Sequence, residues 1–400
     1  MQLSNKTKGP WSIGTYINEE EKEYYTLFNR DGEPIWPIGI GRLNVENMVK
    51  NEEPKWWQKL MPATSRNQQY LGDIVNRAGF EFGSDNSSAM MNNYIPTLYN
   101  PPSIVHAALG KYMSHREHQK LYYGEPYNHK TGRGRIPLDV GKLAEEVKSA
   151  LSEFPETPGI VFVEYLWGVS LWNINDYNGL REGVNWNVAL KELTDAVNTI
   201  KVVAPWYPII WSHALTKCKD KGIWTEEHQK EAFAAFYEAG GNLIGQNWYT
   251  DKKYTPANAY KKNNSIRDLK DSPTGVMEFS NLPAEEFFEE SESSPRGRRA
   301  LERAKAKHYK NPSSYSYPTV KTREEQLEKL EETLMACARN PKCLLASPYS
   351  AEDHDLSAWG YCFNPYTWEE YDLERINDIL QRVRTYRKER MKINYTNCEV

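Results

Sequence analysis

Three acidic side chains fall where apolar runs end: Asp85 after "FEFGS", Glu164 in "IVFVEYLWG" and Glu278 in "GVMEFSN". A carboxylate at the end of an apolar strand is costly to bury unless it is paired or chemically employed. One reading of Glu164 and Glu278 is therefore structural, each acid paired with an Arg or Lys inside the fold. The other is chemical. Two carboxylates flanking one bond are what glycoside hydrolysis needs. One protonates the leaving oxygen, and the other attacks the anomeric carbon or activates a water.

Elements that could position such a pair recur along the chain. Short apolar runs stand at 34–41, 80–83, 159–168, 207–214, 242–250 and 274–281, with further strand-like runs at 343–349 and 358–366. Between them, apolar residues recur at helical spacing: Leu71, Ile74, Val75 and Ala78 before Gly79; Leu143, Val147 and Ala150; Leu190, Leu193, Val197 and Ile200; Phe233, Phe236 and Tyr237 before Gly240. Thr322 to Glu325 reads as a capping box that opens a further helix, and a last helix carries Leu373, Ile376, Leu380 and Val383.

Strands alternating with helices imply βαβ units and a parallel sheet. Counting a third strand within 103–113, the repeats predict an α/β fold: a (β/α)8 TIM barrel in which residues 1–400 form a single domain. The open doubly wound sheet is the alternative. "GIGRLNVEN" after the first strand lacks the G-x-G-x-x-G phosphate loop that such sheets carry for dinucleotides. Residues 284–321 are strongly charged, then rich in Pro, Ser and Tyr. They read as an insertion after the seventh strand, either a lid over the site or a solvated excursion.

Composition narrows the partners. The 400 residues carry a net charge of −4, without the clustered positive charge of a nucleic-acid surface. No run of about 18 apolar residues is present, so no transmembrane helix is expected. The opening "MQLSNKTKGPW" has no apolar stretch of the signal-peptide kind. Four N-x-S/T sequons, at Asn5, Asn86, Asn263 and Asn394, tilt the expectation toward a secreted, extracellular chain over a cytoplasmic one. The five cysteines include no C-x-x-C pair; Cys337 and Cys343 could bridge or remain free core thiols. His115 and His118 have possible metal spacing but no third ligand nearby, and no G-x-S-x-G is present, so neither a metal site nor a hydrolase serine is expected. The 13 Trp include Trp167, Trp172, Trp211 and Trp248 at or after strand ends, where indole rings serve either as core or as platforms for sugars.

The order of these phrases resembles the clan of retaining (β/α)8 glycoside hydrolases, with β-agarases and β-galactosidase-like enzymes nearest. "DGEPIWPIGIGRLN" is similar to the clan's opening strand, "NRAGFEFGSDNS" to its second, "GIVFVEYLWG" to its acid/base strand, "NLIGQNWYT" to its sixth, "PTGVMEFSN" to its nucleophile strand and "AWGYCFNPYT" to its eighth. The resemblance implies Glu278 as nucleophile, Glu164 as acid/base, Tyr249 as hydrogen-bond partner of the nucleophile and Trp359 as floor for the bound sugar. It implies no cofactor. In the clan an Asn precedes the acid/base Glu and binds the sugar 2-hydroxyl; this chain has Val163 there, which leaves Asn86 or His213 to take that part. Asp85, Trp167 and Trp248 complete the expected sugar contacts.

The expected partner is then a β-linked polysaccharide or oligosaccharide, with a galactan such as agarose as one candidate, and no nucleic acid and no membrane. The oligomeric state is not fixed by the sequence. The Val163 departure also admits a barrel that kept its glycan cleft without catalysis, or one used for structure or assembly.

Overall fold

The computed structural model describes residues 10–18, 21, 23–43, 63–84, 87–104, 138–163, 186–214, 226–247, 272–283, 319–351, 360–363 and 370–391. It is a mixed α/β structure. An N-terminal antiparallel sheet comprises β1 (Ser12–Ile17), β2 (Glu23–Phe28) and β3 (Pro34–Ile35). β1 and β2 precede the first apolar run expected from the sequence, at 34–41. Their signal is present in the alternating β-branched and aromatic residues of "SIGTYI" and "EYYTLF". Asn29 closes the turn from β2 to β3, its Oδ1 accepting from Asp31 and Glu33 N–H at 3.0 and 2.9 Å.

The parallel strands follow: β4 (Gly39–Ile40), β5 (Phe82–Gly83), β6 (Ile160–Val163), β7 (Ile209–Ala214), β8 (Leu243–Asn247) and β9 (Thr274–Glu278), with β12 (Cys343–Ala346) beyond the short strands β10 (Leu282–Pro283) and β11 (Thr319–Val320). β6, β7, β8, β9 and β12 form one five-stranded parallel sheet in that spatial order, and β4 pairs with β5. Single parallel bridges connect the rest: Gly83 with Thr97, Tyr99 with Ile160, and Ile38 with Ala346.

Two sequence expectations need correction. A third strand is expected within 103–113; residues 102–104 are helical, 105–113 lie outside the described residues, and the bridges fall upstream at Thr97 and Tyr99. Pro96 and Pro101 flank this segment and supply no N–H, so it pairs through isolated bridges and gives no strand-length apolar run. The eighth-strand likeness was assigned to 358–366. The strand that pairs with β9 is instead β12, and Phe363 makes an antiparallel bridge to Glu370. The 284–321 excursion has a defined base: Leu282 pairs with Thr319 and Pro283 with Val320, and 284–318 lies outside the described residues.

Helices form where the 3.6-residue period put them: α1 (Ala63–Arg77), α2 (Val140–Glu153), α3 (Trp186–Val203), α4 (Glu226–Glu238), α5 (Arg323–Arg339) and α6 (Leu373–Met391). Gly79 and Gly240 end α1 and α4 with φ of 84° and 95°. In both, the glycine N–H reaches back three residues and the next N–H reaches back five, which satisfies the last carbonyls. The Thr322 hydroxyl accepts from Glu325 N–H at 3.2 Å, and the Glu325 carboxylate accepts from Lys321 N–H at 2.6 Å, so the expected capping box is formed one residue wider than the standard pattern.

Three apolar clusters divide the interior. One packs α1, α5 and α6 on Ile38, Ile40, Val276 and Ala346; a second packs α2, α3 and α4 on Ile160, Phe162, Trp211 and Ile244. The third contains no helical residue. It joins Phe82, Val161, Ile210, Leu243, Met277 and Leu345 across the inner face of the strands, and Trp11 and Leu27 of the N-terminal segment cover it. Trp11 meets Phe82 edge-on at 5.1 Å between ring centroids. Cys337, Cys343 and Cys362 are free and buried, so the Cys337–Cys343 alternative resolves to core thiols.

The corner between α5 and β12 depends on one buried cation. Arg387 of α6 donates to the carbonyls of Ala338, Asn340, Pro341 and Cys343 at 3.0, 2.5, 3.2 and 3.3 Å. Its charge thereby meets the negative end of α5. Arg387→Met should leave those carbonyls unsatisfied and lower unfolding free energy by about 2–4 kcal/mol. Denaturant titration should show a lower midpoint at unchanged slope; a loss below about 1 kcal/mol would mean water replaces the guanidinium at little cost.

Candidate active site

β9 is buried along its whole length and lies between β8 and β12. Its pairing with β8 runs Gly245 to Gly275 and Gln246 to Val276, then shifts so that Asn247 meets Glu278. One extra residue on β9 makes a bulge, which re-aims the side chains after it. Val276 packs in the helix-side cluster and Met277 in the inner one, yet Phe279 is again on the helix side. Simple alternation would put Glu278 on the helix side with Val276. The bulge gives Met277 and Glu278 to the inner face together.

β12 shows the same device. Its pairing spans Cys343 to Ala346 against Thr274 to Val276, and Leu344 and Leu345 both enter the inner cluster while Cys343 and Ala346 stay outside.

Glu278 is 3 % exposed. The residues around its end of the sheet are also buried and polar: Ser84 after β5, Ser212 in β7, Gln246 in β8, Ser280 and Asn281 after β9, and Ser347 after β12. Buried polar side chains thus gather where the parallel strands end, the end at which barrel enzymes place their chemistry.

The chain on either side of Glu278 is pinned by backbone bonds. Ser347 N–H donates to Val276 O at 2.8 Å, and Tyr349 N–H to Phe279 O at 2.9 Å. Ser347 Oγ donates to Ser84 Oγ at 2.6 Å. Further on, Gln326 of α5 donates from Nε2 to Asn281 O at 2.9 Å. Gln326 Oε1 accepts from Arg323 Nη1 at 3.0 Å, and Arg323 also donates to Gly360 O at 3.1 Å and stacks over Tyr371 at 4.0 Å. Burial raises the Tyr361 phenol pKa beside Ser280 and Asn281. Sequence reasoning did not single out Gln326: a polar residue in the first turn of a capped helix is ordinarily solvated.

Of the nine site residues expected from sequence, Glu278 is described fully. His213 is described in its backbone, which pairs with Gln246 in the β7–β8 ladder; its side chain lies outside the described residues. Asp85, Asn86, Glu164, Trp167, Trp248, Tyr249 and Trp359 lie outside them, as do Trp172, His115, His118, all four sequons, Cys218 and Cys398. The described neighbours of several of these share one end of the sheet. Val163 closes β6 opposite Ser212, and Asn247, next to Trp248, meets Glu278. Trp211 is no sugar platform. It is fully buried and packs edge-on against Phe233 at 5.4 Å. Among the described residues, no group of three His, Cys, Asp or Glu could hold a metal ion, and no helix is long and apolar enough to cross a membrane.

No protein-family model and no curated protein matches this sequence. Solved structures do. The agarase AgWH50C matches with a TM-score of 0.59 at 10 % identity, over 97 % of this chain and 66 % of its own. An exo-β-agarase matches with a TM-score of 0.56 at 10 % identity, over 98 % and 68 %. The fold is similar to that of these agarases. A third match is β-glucuronidase 2 of Bacteroides uniformis, covalently bound to a cyclophellitol-6-carboxylate aziridine, at a TM-score of 0.50 and 10 % identity over 89 % and 38 %. The likeness is one of architecture, and the chain spans about two thirds of the agarases' length, 66 % and 68 %.

Gln326→Leu should remove the donor to Asn281 O without opening a large cavity. The expected loss is about 1–3 kcal/mol, the range for a buried acceptor left without its partner. Thermal unfolding of the two proteins measures it; equal stability would show that Gln326 is not a support of the strand end.

Proposed function

We propose that the protein is a retaining glycoside hydrolase acting on a β-linked polysaccharide, a galactan such as agarose being the neutral form of that substrate. The observation that carries this reading is Glu278: a carboxylate 3 % exposed, turned to the inner face by a bulge, where buried polar side chains gather. The pairings of β4 with β5, the bridges at Thr97, Tyr99 and Ile38, and the five-stranded sheet support an eight-stranded closed barrel around it. The likeness to two agarases over nearly the whole chain supports the substrate class.

In this reading Glu164 gives its proton to the glycosidic oxygen as the Glu278 carboxylate attacks the anomeric carbon. The leaving sugar departs as an alcohol, and the rest of the glycan is held as an ester of Glu278. Glu164, now a carboxylate, takes a proton from the water that attacks the same carbon and frees Glu278. Retention requires the two carboxyl groups to stand about 5–5.5 Å apart. Tyr249 would donate to Glu278 and keep it ionised. Trp359 would floor the sugar, with Asp85, Asn86, His213, Trp167 and Trp248 contributing hydroxyl and ring contacts. The four sequons fit a secreted chain that meets polysaccharide outside the cell.

Val163 favours a second reading. The last residue of β6 is an apolar side chain where the clan carries an Asn for the sugar 2-hydroxyl, so the cleft would bind glycan, or serve assembly, without turnover.

Reducing-end release from β-galactans separates the two. Wild type should release sugar, and Glu278→Gln and Glu164→Gln should each fall by about 10³-fold or more, as removal of a covalent catalyst does. Binding without release in wild type would establish the second reading; undiminished release by Glu278→Gln would remove the nucleophile from the mechanism.

A further inference from the structure

Two non-glycine residues have positive φ among those described: Glu21, in the exposed turn between β1 and β2, and Arg42, at φ 59° just after β4. The left-handed region is disfavoured for a side chain of this size and is retained where the surroundings enforce it. Here they do. Gly41 N–H donates to Pro348 O at 2.8 Å, Leu43 N–H to Ser87 Oγ at 3.0 Å, and Ser88 N–H to Leu43 O at 2.8 Å. Arg42 is thereby clamped between the exits of β12 and β5. Pro348 itself sits between Ser347 and Tyr349, whose N–H groups hold Val276 O and Phe279 O on either side of Glu278. The clamp and the carboxylate share one end of the sheet.

Arg42 is only 8 % exposed. Among the described residues no carboxylate lies within ion-pair distance of its guanidinium, and no hydrogen bond or ring contact to it occurs there. Two other arginines, one buried and one half-buried, contrast with it. Arg387 is surrounded by four carbonyls, and Arg323 by Gln326, Gly360 and Tyr371. Its guanidinium nitrogens, unlike theirs, have no described partner, yet they are not among the buried polar atoms left without one, so the Arg42 charge stays open to an incoming anion. Strain and a charge with no partner among the described residues therefore coincide at one residue, at the end of the sheet that carries Glu278.

We infer that Arg42 binds a negative group of the glycan, so that the substrate of this site is an anionic β-linked saccharide. The inference rests on the reading of this end of the sheet as a glycan cleft. Guanidinium offers a planar, paired set of donors that matches a uronic-acid carboxylate or a sulfate ester.

Calorimetric titration of the full chain tests this, with Glu278→Gln as background to stop turnover. The probes are oligosaccharides of β-linked glucuronate, sulfated galacto-oligosaccharides and neutral agaro-oligosaccharides. At least one anionic series should bind more tightly than the neutral one, and the series that does so distinguishes carboxylate from sulfate. Arg42→Met should reduce the anionic-to-neutral affinity ratio by about 30-fold or more, the loss seen when one partner of a buried charge pair is truncated. Arg42→Lys, which keeps the charge should Arg42→Met fail to fold, should retain part of the preference. Equal affinity for anionic and neutral series, no binding of any anionic probe, or a preference unchanged in Arg42→Lys and Arg42→Met would overturn the inference. Failures are separable. Glu278-dependent release from neutral galactan with no anionic preference sinks Arg42 alone, whereas Arg42-dependent anionic binding with no hydrolysis sinks the enzyme reading alone.

Discussion

The ladder between β8 and β9 slips by one residue between Gln246 and Asn247, and the position of Glu278 depends on that slip. A strand alternates its side chains, so a carboxylate two residues after Val276 belongs on the helix side, against Leu330 and Leu334. An ionised group there would have to be neutralised or lose the strand its packing. The bulge removes the conflict by using one additional residue. Met277 keeps the inner cluster closed, Glu278 moves to the polar end, and Phe279 returns to the helices. Gly245 is part of the same arrangement: a Cβ at that position would stand 2.0 Å from Met277 Cγ, so the facing strand must be bare where Met277 enters.

A bulge is locally weaker than a regular ladder, and the surrounding structure compensates. The two carbonyls that bracket the carboxylate, at Val276 and Phe279, are taken by the exit of β12. The next turn, at Asn281, is taken by Gln326 of α5, which Arg323 in turn orients. α5 is held at its start by the Thr322 cap and at its end by Arg387. The route from a helix C-terminus to a strand end therefore runs through polar side chains that are buried or half-buried, in a protein with three apolar clusters. The apolar clusters fix where the layers sit; the polar chain fixes the backbone on either side of one carboxylate.

Much of this was legible in sequence. Leu71, Ile74, Val75 and Gly79 marked α1 and its end, and Gly240 marked the end of α4, because period and αL preference are local properties. Glu278 was legible as an acid at the end of an apolar run. Its direction was not, because the slip is a property of two strands distant in sequence. The third strand was misplaced for a related reason: Thr97 and Tyr99 contribute bridges between prolines and carry no periodic signal of their own. Phe363 misled because an apolar, aromatic run resembles a strand whether it pairs with β9 or, as it does, turns back on Glu370. Gln326 and Arg42 passed unremarked since nothing in their neighbours announces burial.

Covalent trapping addresses the central claim, that Glu278 is a nucleophile, without any prior choice among variants. Incubation with activated 2-deoxy-2-fluoro-β-galactosides and the corresponding glucuronides, followed by proteolysis and mass spectrometry, would reveal which side chain carries the sugar. The account predicts a single ester on the peptide containing Glu278. A sugar found on another carboxylate, or hydrolysis of these substrates with inversion at the anomeric centre and no trapped species, would contradict it.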